Sequence, residues 1–329
     1  MNHSTDTSIF AKLQEKSTPS LVAKRNLASC RVSILGLGTA RLASLGSGHT
    51  KKDAEKLLAA AVEVGVNVID TADTYASSAC ETLLGDLLPC YPERFLVSTK
   101  AGLPFVDMPY PLSLLNQFGK KLRQARRREP NFSARYIEKC IEGSLRRLRR
   151  ETLDFFLLHN PVEPVWEDEA LLQVLLAARA AGKIRHVGIS SECKSLLQSA
   201  AKVPLFEVFQ SPLQHAGAVS ESLAAGRGRC IVANHLFGLN SLPEARRLAV
   251  DGVAEELGES ARAVLLSYAA AHPGVAHVLT GTGNHEHLRA NAAAMALKLT
   301  AEQTARIHHA GGSPGYDHPR AEERRTATA

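Results

Sequence analysis

Short apolar runs alternate with longer stretches of helical periodicity from about residue 30 to residue 300. Eight of the runs read as strands: VSILGLG (32–38), VNVID (66–70), RFLVSTK (94–100), LDFFLLHN (153–160), IRHVGISS (184–191), LFEVFQS (205–211), RCIVANH (229–235) and VAHVLTG (275–281). Most are nearly continuous in apolar residues, as expected of strands covered on both faces of a parallel sheet. Between them, Lys51 to Val64 places Ala54, Leu57, Leu58 and Val62 on roughly one helical face. Arg135 to Arg150 repeats the pattern with Ile137, Ile141, Leu145 and Leu148. Glu169 to Ala181 is rich in Leu and Ala and closes on Gly182, a helix-terminating position. Ser260 to Ala271 and His285 to Leu297 complete the predicted helices. Eight strands in strict alternation with helices over roughly 250 residues predict an α/β fold of the (β/α)8 TIM-barrel type. A doubly wound sheet is the rival architecture.

The rhythm is interrupted at its ends and once inside. Residues 1–29 are polar and mixed and read as an N-terminal extension, with the barrel domain over 30–310. A long insertion at 101–134 separates the third strand from its helix. Residues 311–329 have the composition of a disordered tail. The chain of 329 residues is 45% hydrophobic, ample for one large core. Its net charge of +6 suits anionic ligands, phosphorylated cofactors included. The excess is spread along the chain. The basic runs Lys120 to Arg128, Arg146-Arg147 and Arg149-Arg150 carry no interleaved aromatics, so they read as solvated helix faces and not as a nucleic-acid site. Six cysteines lie far apart without a CxxC pair and read as reduced thiols. His285, His287, His308 and His309 lack acidic or thiol companions at zinc-like spacing, so no metal is expected. The N-terminus has no apolar targeting core, and the longest apolar run, Ala263 to Ala271, is too short for a bilayer. A cytoplasmic protein without membrane contact is expected. Nothing in the pattern sets its oligomeric state.

The C-terminal ends of parallel barrel strands ring one mouth, where catalytic groups sit. The polar residues that end the apolar runs are therefore the candidates. Asp70 ends the second run, with Tyr75 in the following turn; Lys100 ends the third and His159 the fourth. An acid, a phenol, an amine and an imidazole on consecutive strands can share one cavity, and together they can reduce a carbonyl. Tyr75 would donate the proton to the oxygen. Lys100 would lower the phenol below its ordinary value of about 10. Asp70 would hold the ammonium, and His159 would orient the carbonyl. Each residue alone has a plainer reading, as a helix cap, a packed aromatic, a solvated lysine or a backbone-bonding histidine. Their joint placement favours the chemistry.

The segments VNVIDTADTYASSACETLLG, FLVSTK, LDFFLLHNP and HVGISS resemble the aldo-keto reductases, from about Val32 to Leu297. The resemblance implies a catalytic tetrad of Asp70, Tyr75, Lys100 and His159, with Tyr75 as general acid/base. It also implies a nicotinamide cofactor, NADPH with NADH as the alternative, and a small carbonyl or alcohol substrate. Gly38, Thr39 and Asp70 would lie near the nicotinamide half, and Ser190, Ser191 and Gln210 would bind its carboxamide. Gly281 and Thr282 would receive phosphate, with the following helix N-terminus adding backbone donors. His287 would stand where many members carry an arginine for the 2′-phosphate, with Arg289 close by, and Asn291 would face the adenine. The pattern departs at Ser191, where many members have Asn, and at Asn234, where many have a stacking aromatic. Trp166, Phe237 and the 101–134 insertion are expected to shape the substrate pocket. A dinucleotide-binding Rossmann unit fits poorly: the third glycine position is Arg41, and Asp70 lies more than 30 residues on, against about 20 in that fingerprint. The remaining alternative is a cofactor-binding regulatory subunit of the same fold with little turnover.

Overall fold

The computed structural model describes residues 21–42, 49–104, 129–223, 228–237 and 242–310. A hairpin of β1 (Lys24–Leu27) and β2 (Cys30–Ser33) comes first. Eight parallel strands then close on themselves: β3 (Leu35–Gly38), β4 (Val68–Asp70), β5 (Leu96–Ala101), β6 (Leu153–His159), β7 (Ile184–Ser190), β8 (Phe206–Pro212), β9 (Cys230–Asn234) and β10 (Val275–Gly281). They pair in chain order, and β10 returns to β3 with Val278 opposite Leu35 and Gly281 opposite Gly38. This closure is the predicted (β/α)8 barrel and excludes the doubly wound sheet.

The helices pack outside the cylinder. They are α1 (Lys51–Val64), α2 (Ala79–Leu87), α3 (Ala134–Leu148), α4 (Glu169–Ala180), α5 (Lys194–Ala200), α6 (Ala216–Leu223), α7 (Glu244–Leu257), α8 (Ala261–Ala271), α9 (His285–Ala294) and α10 (Ala301–His309). Local chemistry sets their ends. Thr50 and Asp53 form a reciprocal capping box at α1, and Gly65 ends it in the left-handed region at φ 85°. Asp168 caps α4 by accepting from Ala170 N at 2.9 Å. The apolar faces of these helices and the outward side chains of the strands make the main core, from Leu35 and Leu58 to Phe209 and Val264. Among the described residues, no helix is long and apolar enough to cross a membrane.

Three expectations need correction. The run VSILGLG does not form one strand. Its first two residues belong to the hairpin, and the chain turns a corner where Ser33 Oγ donates to Leu35 O (2.6 Å) and Ser33 N donates to Asn67 Oδ1 (2.6 Å). Residues 21–29 are not a free extension either. Leu27, Cys30 and Val32 pack into a second core with Val68, Phe155 and Leu157, so the hairpin stoppers the N-terminal end of the barrel. Third, Arg147, Arg149 and Arg150 are not merely solvated. They pair with Glu81 (2.8 Å), Asp86 (2.5 Å) and Asp154 (3.0 Å). Residues 1–20, most of the 101–134 insertion and its basic run, and the 311–329 tail lie outside the described residues.

Candidate active site

Asp70, Lys100 and His159 sit at the C-terminal ends of β4, β5 and β6, and Tyr75 enters from the loop after β4. Lys100 is the hub. Its Nζ lies 2.6 Å from Asp70 Oδ2, 2.8 Å from Thr71 O and 3.4 Å from Tyr75 Oη, and 5.0 Å from the centre of the Tyr75 ring. The side chain is 1% exposed, and a buried ammonium is tolerable only when paired and hydrogen-bonded. Burial pulls the Lys100 pKa down, but Asp70 and Tyr75 outweigh it and hold it above the ordinary value. The amine is therefore a fixed positive charge.

The phenol behaves differently from the expectation. Lys100 is the largest single influence on Tyr75 and lowers its pKa, but burial and the Asp70 carboxylate together outweigh it, leaving the phenol above its ordinary value. The Tyr75 phenol thus holds its proton more firmly than a free phenol and is not acidified. Its backbone setting is unusual: Ala76, Ser77 and Ser78 all lie in the left-handed region, at φ 50°, 55° and 72°. Each such non-glycine residue costs of order 1 kcal/mol, which the surrounding structure must offset. His159 stands edge-on to Tyr75 with ring centres 6.0 Å apart. Burial, then Lys100, push its pKa down to about 3, so the ring is neutral. Its Nδ1 has no partner among the described residues.

A second set of contacts fixes Asp70. Its Oδ1 accepts from Ser98 Oγ (3.1 Å) and Gln210 Nε2 (3.2 Å), and Ser190 Oγ donates to Gln210 Oε1 (2.6 Å). Of the two residues expected on a carboxamide, Gln210 is bonded here to the carboxylate and Ser190 to Gln210. Ser98 was not singled out from the sequence, because a hydroxyl inside a strand carries no signal of its own. Thr39 is fully buried and directs both N and Oγ1 to Asp70 O (2.9 and 3.0 Å), which braces the strand end. Ser191 also serves the backbone: its N donates to Gln210 O (3.1 Å) and its Oγ accepts from Cys193 N (3.1 Å).

The barrel's closing seam is bare. Gly38 and Gly281 face each other across β3 and β10, Gly281 is exposed, and a Cβ added to it would meet only Gly38 O at 3.9 Å. Thr282 lies just beyond, with Oγ1 bonded to Asn284 (3.0 and 3.2 Å), and Asn284 caps α9 through Glu286 N (2.8 Å). Asn291 on α9 is 1% exposed; its Oδ1 accepts from Arg262 (3.3 Å), and its Nδ2 has no partner among the described residues. His287 is exposed on the same helix. Arg289 is held by Glu63 (2.7 Å) and Glu286 (2.9 Å). Of the expected pocket residues, Phe237 is exposed beneath the Arg262 guanidinium at 4.2 Å. Trp166 is instead a core residue, edge-on to Phe206 at 5.8 Å, because an indole this apolar packs inward when the fold offers a slot.

The aldo/keto reductase family model matches residues 34–215 and 220–311. The chain belongs to the aldo/keto reductase family. It is an oxidoreductase of that family. Among curated relatives it is similar to 6-dehydroglucose reductase of Novosphingobium aromaticivorans, 28% identical over 291 residues, covering 82% of this chain and 87% of that one. It is also similar to pyridoxine 4-dehydrogenase of Escherichia coli, 26% identical over 287 residues, covering 82% and 92%. Among solved structures, an aldo-keto reductase from Bacillus halodurans in its holo form shares the fold with a TM-score of 0.70, at 22% identity, covering 91% of this chain and 99% of that one.

Proposed function

We propose that this aldo-keto reductase interconverts an aldehyde or ketone and its alcohol, with Tyr75 as general acid/base and a nicotinamide dinucleotide as hydride carrier. The observation that carries this reading is the Lys100 ammonium buried between the Asp70 carboxylate and the Tyr75 hydroxyl at the open end of the barrel. A carbonyl receiving hydride gathers negative charge on oxygen. Tyr75 stands ready to protonate that oxygen, and Lys100 stabilises the phenolate left behind. Because Lys100 stays charged, that stabilisation needs no reorganisation during the reaction. The neutral His159, with its Nδ1 unpartnered, supplies a hydrogen bond that orients the carbonyl without competing for the proton. Asp70 keeps the ammonium in place, and Ser98 and Gln210 keep Asp70 in place.

A dinucleotide fits the residues present. The side-chain-free seam at Gly38 and Gly281 offers bare backbone on which a flat ring can lie, and the buried Asn291 amide has an unused donor. The first turn of α9 after Thr282 adds backbone N–H groups suited to phosphate. When bound, a reduced nicotinamide supplies the hydride. NADPH is the expected carrier, with the exposed His287 on α9 toward its 2′-phosphate. The engagement of Arg289 by Glu63 and Glu286 favours NADH as the second reading, since a 2′-phosphate would compete with two carboxylates for that guanidinium.

The test is turnover of an aldehyde and sugar panel with NADPH and with NADH, for the wild type and Tyr75→Phe. The variant is expected to lose about 10²- to 10⁴-fold in kcat, while fluorescence titration gives cofactor binding within about twofold of wild type. A near-normal rate in Tyr75→Phe would overturn the assignment.

A further inference from the structure

Inside the barrel, one atom of the His277 imidazole stands without a partner. The side chain is 1% exposed, and its Nδ1 lies 2.6 Å from Ser33 O. A carbonyl oxygen only accepts, so Nδ1 donates there and carries the ring proton. Burial pulls the His277 pKa down to about 4, against the pull of the Ser33 carbonyl and the Asp70 carboxylate, so the ring is neutral. Nε2 is therefore a bare acceptor, buried and without a partner among the described residues. Buried polar groups are nearly always satisfied, by protein or by water. The strand register fixes where this one sits. Nε2 lies over Gly36, so close that a Cβ there would stand 1.9 Å away. Gly36 precedes Gly38 by two residues on β3, and Gly38 pairs with Asp70. Positions two apart on a strand share a face, so Nε2 lies one inward layer below Asp70.

A small cavity occupies that layer. His277, Asp70, Ser98 and Gln210 border it, with Leu27 of the hairpin and Val68 among its apolar walls. All six residues are buried. The cavity leaves about 10 Å³, room for about one water molecule. A cavity walled by carbon alone stays dry, but this one offers polar partners. Ser98 Oγ donates its single proton to Asp70 Oδ1 and keeps lone pairs that can accept. Gln210 Nε2 donates one N–H to the same oxygen and carries a second. Two acceptors and a donor are the complement of one water.

We propose that a single water is built into the barrel here, donating to His277 Nε2 and bridging it to Ser98 and Gln210, and that His277 is thereby a positioning residue for Asp70. Ser98 and Gln210 are the groups that hold Asp70 Oδ1. A water tied to Nε2 fixes both from below, and through them the carboxylate that holds Lys100. A hydrogen bond accepted by Ser98 Oγ also strengthens the one it donates. The positioning role rests on the catalytic reading of Asp70 given above; the water site does not.

The experiment has two arms. Crystal structures of the full chain, at a resolution that shows internal waters, are compared for the wild type, His277→Leu and His277→Gln. One water is expected beside Nε2 in the wild type and in the Gln variant, whose terminal amide reaches the place of Nε2, and none in the Leu variant. Both variants give up the imidazole bond to Ser33 O, so their difference reads the cavity-facing atom alone. The second arm measures kcat per titrated cofactor-binding site, which a partly unfolded sample does not change. His277→Leu is expected to lose about tenfold, with cofactor affinity within about twofold of wild type, and His277→Gln to recover most of the loss. No density for a water in the wild type would overturn the site, and needs no variant to fold. A water retained in His277→Leu would show that Nε2 does not hold it. With the water confirmed, a kcat per site within twofold of wild type in His277→Leu, or an equal loss in both variants, would overturn the positioning role. An inactive wild type that still shows the water would instead strike the catalytic reading and leave the site standing.

Discussion

Two residues before Tyr75, the Asp73 carboxyl is fully buried with Glu81 nearby. Burial, then Glu81, push it from 3.8 up to about 8, against the pull of Cys140 and Arg147. In the unfolded chain the same group ionises at the lower value. As pH rises from about 4 to about 8 the unfolded state therefore sheds a proton that the folded state keeps, and stability falls across that window. Asp73→Asn removes this titration. It is expected to add on the order of 2–4 kcal/mol of stability at pH 7 and almost nothing at pH 4. Urea melts of both proteins at the two pH values measure this, and an equal difference at both would contradict it. The same scale explains which site residues were legible. Asp70, Tyr75, Lys100 and His159 stand out because each interrupts or follows an apolar run with a group that water would otherwise claim. Ser98, the backbone of Thr71 and the Asp73 carboxyl were silent, since hydroxyls and turn carboxyls are common everywhere. The direction of the Tyr75 shift was also out of reach. It depends on the sum of an attraction, a repulsion and a burial that only coordinates supply.

Elements with strong internal signals were read nearly to the residue. The helix expected over Lys51 to Val64 matches α1 because a capping box and a C-terminal glycine bracket it. The short α5 and α6 carried no comparable bracket and were passed over; so were α2, α7 and α10, although Gly258 ends α7 in the left-handed region and Thr300 with Gln303 forms a capping box at α10. The split of 32–38 between β2 and β3 was invisible because every residue there is apolar or small, and the corner is made by Asn67, which lies beyond α1 in the chain. Gly36 on β3 has a reason of the same long-range kind. The buried His277 ring lies over it, with Nδ1 bonded to Ser33 O at 2.6 Å, and a Cβ on Gly36 would sit 1.9 Å from His277 Nε2. Gly36→Ala is therefore expected to cost about 1–3 kcal/mol through overpacking. A denaturation midpoint equal to the wild type would show that the ring can yield.

For the whole molecule, the alternation of strands and helices was enough to predict a closed cylinder, because covered parallel strands leave few other solutions at this length. The stopper was not predicted. A four-residue strand with three of its four positions in contact with water, such as β1, offers almost no pattern. Its one buried residue, Leu27, is 2% exposed and fills the barrel's lower core. Leu27→Ala is expected to lower stability by about 2–4 kcal/mol. Turnover at 25 °C is expected to change less than twofold, since the mouth lies at the other ends of the strands. Differential scanning calorimetry beside a steady-state assay separates the two, and a large loss of kcat in a well-folded variant would couple them.

The hairpin forms a two-stranded sheet of its own, outside the ladder that closes the cylinder. The lower end can therefore be treated as a handle. A fluorophore, a surface tether or a fused partner joined at the exposed Lys24 or Asn26 would ride on a part that the ring of strands does not need for its own closure, at the opposite end of the strands from Lys100 and Tyr75.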